Sequence, residues 1–521
     1  MSQPVLRVDD LRVAIGRRQI VRGVSFEAQR EQTVGIVGES GSGKSMTVLA
    51  ATGLLDAPGA VVSGTSTLAG DVELVGASAR ALRAVHGSRI GFVFQDPGTS
   101  LNPLLTLARQ ITETLEIHRN MTRRQARSRA GELLDEVGLS AERLDAYPHQ
   151  LSGGQRQRVM IAIALACDPE LLIADEPTTA LDVTTQAQII DLVGELQREF
   201  GTAVVWISHD LGVIGQVADE VTVLREGEAV EQAPILDVFD HSRHAYTREL
   251  LDARPRVDGP GPAPAPADAS VMLQVNGLQV HYGAVRAVED ISFTLRRAST
   301  LGIVGESGSG KSTVAAALAG LASPAAGTAT LDGADVFAGG RDLRRRISLV
   351  FQDPFSALNP RARVDVSIGE PLRVHRLARG RRQRAARVAQ LLEMVGLPTE
   401  FASRYPHELS GGQRQRVSIA RALATEPDVL ILDESTASLD VSVQSTVLDL
   451  LARLQRELEL AYLFIAHDLA VVHRMCHDVL VMRAGEVVEH RPAADLFAAP
   501  EHPYTRSLLA AVPPAGPREK V

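Results

Sequence analysis

The octapeptide GESGSGKS runs from Gly38 to Ser45 and returns unchanged from Gly305 to Ser312. The repeat reaches far beyond that loop. LRVAIGRRQIVRGVSF (Leu11 to Phe26) aligns without gaps on LQVHYGAVRAVEDISF (Leu278 to Phe293). VFQDP begins at Val93 and again at Val350, LSGGQRQRV at Leu151 and Leu409. SHDL at Ser208 answers AHDL at Ala466, and HAYTRELL at His244 answers HPYTRSLL at His502. A unit of roughly 250 residues is far longer than the repeat of a solenoid, so the chain is expected to hold one domain twice. The expected boundaries are residues 5–252, a connector at 253–270, and residues 271–515. The connector, ARPRVDGPGPAPAPADAS, carries five prolines and almost no bulky apolar residue. It cannot pack a core and reads as a semi-rigid spacer whose Pro-Ala heart spans on the order of 25–30 Å at ~3.1 Å per residue.

Within each copy, short apolar runs alternate with helical patterns. TVGIV (Thr33 to Val37), ELLIAD (Glu170 to Asp175) and AVVWIS (Ala203 to Ser208) read as buried strands. Thr184 to Phe200 has apolar spacing near 3.6 and reads as a helix. Strand–helix alternation predicts an α/β domain with a mostly parallel sheet. Asp96 to Gln150 lacks strand signals and predicts a helical insert.

GxxxxGK[ST] gains meaning from context, a strand before it and a helix after it, and both copies have that context. The loop N–H groups and the helix start would cradle phosphates. The candidate cradles are Gly38, Glu39, Ser40, Gly41, Ser42, Gly43, Lys44 and Ser45, and then Gly305, Glu306, Ser307, Gly308, Ser309, Gly310, Lys311 and Ser312. Lys44 and Lys311 would reach the β- and γ-phosphates, and Ser45 and Ser312 would place a hydroxyl on Mg²⁺. Of 54 basic residues only Lys44, Lys311 and Lys520 are lysine. In an arginine-rich chain, both loops hold the compact ammonium that enters a tight anion cradle as a point charge. Two apolar strands end in acids, Asp175–Glu176 and Asp433–Glu434. The first acid of each pair suits Mg²⁺ and the second suits polarising a water. Adjacent acids also form ordinary solvated turns, and the pair by itself leaves both readings open.

Walker A, VFQDP, LSGGQ, DEPTTALD and ISHD, in that order and twice over, resemble the ATP-binding-cassette (ABC) ATPases. The resemblance implies the fold class: α/β, two P-loop ABC nucleotide-binding domains in tandem, each with a mostly parallel sheet core and a helical insert. It implies ATP and Mg²⁺ as cofactors, Glu176 and Glu434 as catalytic bases with His209 and His467 beside them, and Gln95 and Gln352 as further metal ligands next to Asp175 and Asp433. It also implies that ATP lies between two cassettes. Lys44 would then work with Ser410 and Gly412, and Lys311 with Ser152 and Gly154, in an intramolecular cassette dimer. A helix opening on Ser-Gly-Gly is a second anion-binding terminus. The aromatic that stacks on adenine in the family corresponds to Tyr282 in copy two and to Ile15 in copy one.

YPHQLSGG, YPHELSGG and the HxYTR segments look like the dipeptide/oligopeptide/nickel importer subfamily. The implied role is the ATP-hydrolysing subunit that energises uptake of di- and oligopeptides through two separate transmembrane permease subunits, fed by an extracytoplasmic solute-binding protein. The alternative solutes are nickel, glutathione, an opine or a peptide antibiotic. A reading of another class is a tandem-cassette ATPase acting on ribosomes or DNA. TALD and ASLD after the acids and the Pro-Ala connector argue against it. Three departures stand out. Some relatives carry an iron–sulfur cysteine cluster, whereas this chain has only Cys167 and Cys476. Ser435 stands where the family usually has proline. Ile15 lacks a π-face.

The net charge is −9. The arginine-rich stretches Thr122 to Ala130 and Arg376 to Val388 lack interleaved aromatics, so they read as solvated helix faces and no nucleic acid is expected. No apolar run reaches the roughly 18–20 residues of a membrane span. The opening MSQPVLRVDD has no basic or apolar leader region. Peripheral attachment at the cytoplasmic face of the cell membrane is the expectation.

Overall fold

All five residues of Thr33–Val37 are buried, as an apolar run covered on both sheet faces requires. In the computed structural model, which describes residues 3–179, 181–266, 268–437, 439–514 and 516–518, this strand is the hub of a six-stranded sheet. Ala203–Ser208 and Glu220–Arg225 pair with it in parallel, one on each side. Leu171–Asp175 and then Ile90–Val93 extend the parallel set beyond Ala203–Ser208. Glu228–Pro234 closes the opposite edge in antiparallel register. The second copy holds an equivalent six-stranded sheet around Thr300–Val304, with the same strand order. The chain divides into two compact units. One holds Met1–Leu181, Thr185–Arg254 and Pro513–Val521, and the other Asp182–Thr184 and Pro255–Val512.

Each unit adds a four-stranded antiparallel sheet. In the first it is built from Arg18–Ala28, Leu6–Ile15, Ala60–Leu68 and Val72–Glu73. Leu6–Ile15 alternates buried and exposed residues, the mark of a strand with one face on a core. Its core side joins Val34, Ile36, Ala51, Ile173 and Val205, so this sheet and one face of the parallel sheet share one apolar layer.

The helix Lys44–Ala51 packs into that layer, and the other face of the parallel sheet carries the helical insert. Leu107–Arg119 and Arg123–Glu136 fill the stretch expected to be helical, each begun by a threonine that caps it, Thr106 and Thr122. Ala126 and Ala130 pack inward while Arg123, Arg124 and Arg127 face out, so the basic stretch is a solvated helix face. Trp206 and its counterpart Phe464 anchor the two helical-side cores. Both cysteines are buried and free. Among the described residues, none of the connector's 255–266 lies in a helix or strand.

The strands Leu171–Asp175 and Val429–Asp433 end in left-handed turns, at Glu176 (φ 47°) and Glu434 (φ 46°). Such a φ on a non-glycine residue costs energy and persists only where the surroundings enforce it. Here the glutamate N–H groups are held by Ile207 and Ile465 carbonyls at 3.0 and 2.9 Å. The next residue is Pro177 in one copy and Ser435 in the other. Ser435 is 2% exposed, and its hydroxyl finds no partner among the described residues. Because Pro177 follows a glutamate of the same φ, proline fits this turn. Ser435→Pro should therefore stabilise the chain by about 0.5–1 kcal/mol through the unfolded state, with loss of the unpaired hydroxyl acting in the same direction. A urea midpoint that falls instead of rising would show that the second turn needs its serine.

Candidate nucleotide-binding sites

Parallel register brings the chemistry to one place. Val37 pairs with Ser208, Asp175 with Ile207, and Val93 with Ala174. The carboxyl ends of these four strands thus lie side by side, and the residues just beyond them, the glycine loop, His209, Glu176 and Gln95, converge on one sheet edge. Copy two repeats this through Ile303 with Ile465, Asp433 with Ile465 and Val350 with Leu432.

The loops are shaped by close approach. A Cβ on Gly38 would sit 2.2 Å from the Leu224 carbonyl oxygen, and one on Gly305 would sit 2.1 Å from that of Met482. Gly43 (φ 98°) and Gly310 (φ 102°) turn the chain into the helices Lys44–Ala51 and Lys311–Leu318. The lysines are 5% and 4% exposed. Lys44 Nζ donates to the carbonyls of Gly38 (2.7 Å) and Glu39 (3.1 Å), and Lys311 Nζ to those of Gly305 (2.8 Å) and Glu306 (2.7 Å). Burial lowers the pKa of the Lys311 ammonium, opposed by the charges of Glu434 and Asp433.

Beside each loop stands an oxygen pair. Ser45 Oγ donates to Asp175 Oδ1 at 3.0 Å, and Ser312 Oγ to Asp433 Oδ1 at 3.1 Å. Burial raises the pKa of both aspartates, with the serine hydrogen bonds opposing it and the adjacent glutamate charges adding to it. A hydroxyl and a half-buried carboxylate are the hard oxygen donors that Mg²⁺ prefers. The loops themselves suit an anion: Ser42 Oγ is buried without a partner among the described residues, and a Cβ on Gly41 or Gly308 would meet nothing within 4 Å. The residues present therefore fit a nucleotide phosphate with its magnesium.

Glu176 sits at the centre of the first cluster. Its Oε2 accepts from Gln95 Nε2 (3.0 Å) and Thr179 Oγ1 (3.0 Å) and pairs with His209 Nδ1 (3.1 Å), while Lys44 Nζ lies 3.8 Å from Oε1. Burial opposes its ionisation. The hydrogen bond and charge of His209, Lys44 and Thr179 outweigh that and hold the carboxyl below the usual glutamate range. In copy two, Gln352 Nε2 donates to Glu434 Oε2 and His467 pairs with Oε1 through Nε2, leaving His467 Nδ1 without a partner among the described residues. Gln95 and Gln352 thus turn amide nitrogens to the glutamates. Thr179 was not singled out in the sequence; the signal for it is the repeat itself, since copy two has Ala437 at that place.

The remaining candidates sit on other elements. Ser152 and Ser410 are the N-caps of Gly153–Leu165 and Gly411–Leu423, each in a capping box with the glutamine three residues on. A Cβ on Gly154 would strike Thr185 Cγ2 at 2.3 Å, and one on Gly412 would strike Val443 Cγ1 at 2.3 Å, so glycine lets each helix start lie against its neighbour. Tyr282 ends Val271–Tyr282 with 54% of its surface exposed, and Ile15 ends Leu6–Ile15 at the same place before its hairpin turn.

The ABC transporter family model matches residues 21–179 and 288–437, and the model of the oligopeptide/dipeptide transporter C-terminal region matches 230–271 and 488–521. The chain is 46% identical to the glutathione import ATP-binding protein GsiA of Pectobacterium atrosepticum, over 97% of this chain and 88% of that one. It is also 46% identical to the protein of the same name from Escherichia coli strain K12, over 98% of this chain and 90% of the relative. Among solved structures, cbiO1 of Clostridium perfringens, described as part of the ABC transporter complex cbiONQ, is 31% identical over 44% of this chain and 91% of its own, with a TM-score of 0.40. Among the described residues, no helix is long and apolar enough to cross a membrane. The chain belongs to the ABC transporter ATPases: it is a tandem-cassette, ATP- and Mg²⁺-dependent subunit of an importer of the oligopeptide/dipeptide type.

Proposed function

We propose that this ATPase energises uptake of short peptides, with glutathione-sized peptides as the solute class. The observation that carries the solute reading is the likeness, over nearly the whole chain, to relatives named for glutathione import. In this reading residues 5–252 and 271–515 are the two cassettes, 253–270 joins them, and the chain works at the cytoplasmic face of the membrane. Two permease subunits and an extracytoplasmic solute-binding protein complete the importer.

The chemistry follows from the cluster at each sheet edge. Ser45 with Asp175, and Ser312 with Asp433, would hold Mg²⁺, with the side-chain oxygens of Gln95 and Gln352 as further donors; the ion screens phosphate charge. Lys44 and Lys311 exchange their carbonyl partners for phosphate oxygens. Glu176, kept ionised by its surroundings, takes a proton from the water that attacks the γ-phosphorus, and ADP and phosphate leave; Glu434 does the same in copy two. His209 and His467 hold these carboxylates in place. Ser152 and Gly154 cover the nucleotide bound at Lys311, and Ser410 and Gly412 cover the one at Lys44. Closing both sites would join the two cassettes and drive the permeases.

Membranes solubilised in detergent should yield permease subunits with the tagged chain, and liposomes holding that complex should accumulate glutathione or dipeptides only with ATP inside the binding-protein-free compartment. Ribosomes in the purified complex would overturn the import reading; accumulation of nickel instead would overturn the solute.

Glu176→Gln should slow turnover at its site by roughly a hundredfold or more while nucleotide binding persists, as loss of a general base does. Combined with Glu434→Gln it should trap bound ATP. Ser152→Arg should lower hydrolysis at the Lys311 site without lowering ATP binding there. If Glu434→Gln alone leaves ATPase rate and nucleotide retention unchanged, the second site does not hydrolyse.

An aromatic face on a base contributes about 1–3 kcal/mol, which the exposed Tyr282 can supply and Ile15 cannot. Tyr282→Ala should weaken a fluorescent ATP analogue at the Lys311 site by roughly tenfold for each ~1.4 kcal/mol lost, and Ile15→Tyr should tighten the Lys44 site. An unchanged affinity after Tyr282→Ala would remove the proposed difference between the sites.

A further inference from the structure

The HxYTR segments lie in the stretches matched as the oligopeptide/dipeptide transporter C-terminal region, to which the catalytic reading gives no task. In both copies their tyrosine reaches back to the glycine loop. Tyr246, 3% exposed, accepts the backbone N–H of Glu39 on its hydroxyl at 3.2 Å. Tyr504, 6% exposed, accepts that of Glu306 at 3.0 Å. The peptide group that supplies this N–H is the one whose carbonyl, Gly38 or Gly305, accepts from the loop lysine at 2.7 and 2.8 Å. Since a peptide group is planar, a bond to its N–H fixes the direction of its carbonyl. The tyrosine hydroxyl and the lysine ammonium thus grip opposite ends of one rigid plane.

The tyrosine is itself held from several sides. The Arg225 guanidinium lies 4.8 Å from the Tyr246 ring centroid, and Arg483 lies 5.0 Å from that of Tyr504. Just beyond these arginines, the Gly227 N–H donates to the Ser42 carbonyl at 2.9 Å and the Gly485 N–H to the Ser309 carbonyl at 3.0 Å, bracing the loop's other end. The tyrosine's helix is fixed where it begins. The Glu231 carboxylate accepts from the N–H groups of Arg243 (2.7 Å) and His244 (3.2 Å), and His244 Nδ1 accepts from that of Tyr246 (3.2 Å). Glu489 does the same for Glu501 (2.9 Å) and His502 (3.0 Å), and His502 Nδ1 for Tyr504 (3.2 Å).

We propose that Tyr246 and Tyr504 are positioning residues for the nucleotide loops: each hydroxyl locks the peptide plane that orients the loop lysine, so the C-terminal region sets nucleotide affinity from behind the site. This rests on the reading of the two glycine loops as ATP sites. Before nucleotide arrives, the lysine is kept at the loop mouth by a carbonyl that cannot rotate. Without the hydroxyl the plane is free to turn, and the lysine loses its preset direction.

The test uses the full chain and a fluorescent ATP analogue, with binding rather than turnover as the readout. One loop is silenced by Lys311→Ala so that the Lys44 site is read alone, and by Lys44→Ala for the reverse. Tyr246→Phe in the first background and Tyr504→Phe in the second should each weaken binding by roughly tenfold. The loss should persist at 10 °C or so, well below the unfolding midpoint measured for each variant. Binding at the parent affinity overturns the inference. So does a loss that disappears on cooling, because it would then reflect only a less stable fold. If Lys44→Ala and Lys311→Ala weaken binding but the tyrosine changes do not, the ATP-site reading stands and only the positioning role falls. If binding depends on neither lysine, the ATP-site reading falls and takes the inference with it.

Discussion

Parallel pairing about Thr33–Val37 and Thr300–Val304 is the constraint on which the rest depends. Five strands in each parallel set point the same way, so their carboxyl ends share one edge. Residues tens to more than a hundred positions apart in sequence are delivered to one locality by that single rule. Shifting Leu171–Asp175 by one residue would exchange its faces and carry Asp175 away from Ser45. Full burial of the central strands fixes the register, because every residue of Thr33–Val37 and Ala203–Ser208 would be exposed to a mismatched neighbour.

Burial also sets the electrostatics. Asp175 and Asp433 are pushed toward the neutral form by desolvation, whereas Glu176 is drawn the other way by His209, Lys44 and Thr179. Neighbouring carboxyls in one cleft thereby acquire opposite tendencies. One side chain awaits a cation to compensate its desolvation, and the next is already an anion with its proton acceptor capacity intact. The left-handed backbone at Glu176 and Glu434 separates the two roles by turning the second acid away from the line of its strand.

The two copies are alike in architecture and different in detail. Glu176 has a threonine hydroxyl that Glu434 lacks, since Ala437 replaces Thr179. His209 approaches through Nδ1 and His467 through Nε2. Pro177 faces Ser435, and Ile15 faces Tyr282. The loop octapeptides and the tyrosines behind them are the same in both copies. A duplicated domain in one chain can drift at the differing places because each copy answers to its own surroundings.

The duplication, the α/β class, the strands TVGIV and AVVWIS and the identity of the loop, acid, glutamine and histidine motifs were legible in the sequence. They depend on local order: apolar runs, glycine spacing and the succession of motifs along the chain. The antiparallel sheet led by Leu6–Ile15 was not read, because its alternation is interrupted by register shifts and its partners lie up to about sixty positions away. Nor could sequence show that the Gln95 and Gln352 amides turn to the glutamates, that Thr179 joins them, or that Tyr246 and Tyr504 hold the peptide planes of loops some two hundred positions earlier. A hydrogen bond across that span is set by strand order and helix placement, which only the folded sheet decides. The sequence alone determined which groups this protein carries; the tertiary structure decided which of them touch, since contact depends on the register of buried strands rather than on distance along the chain.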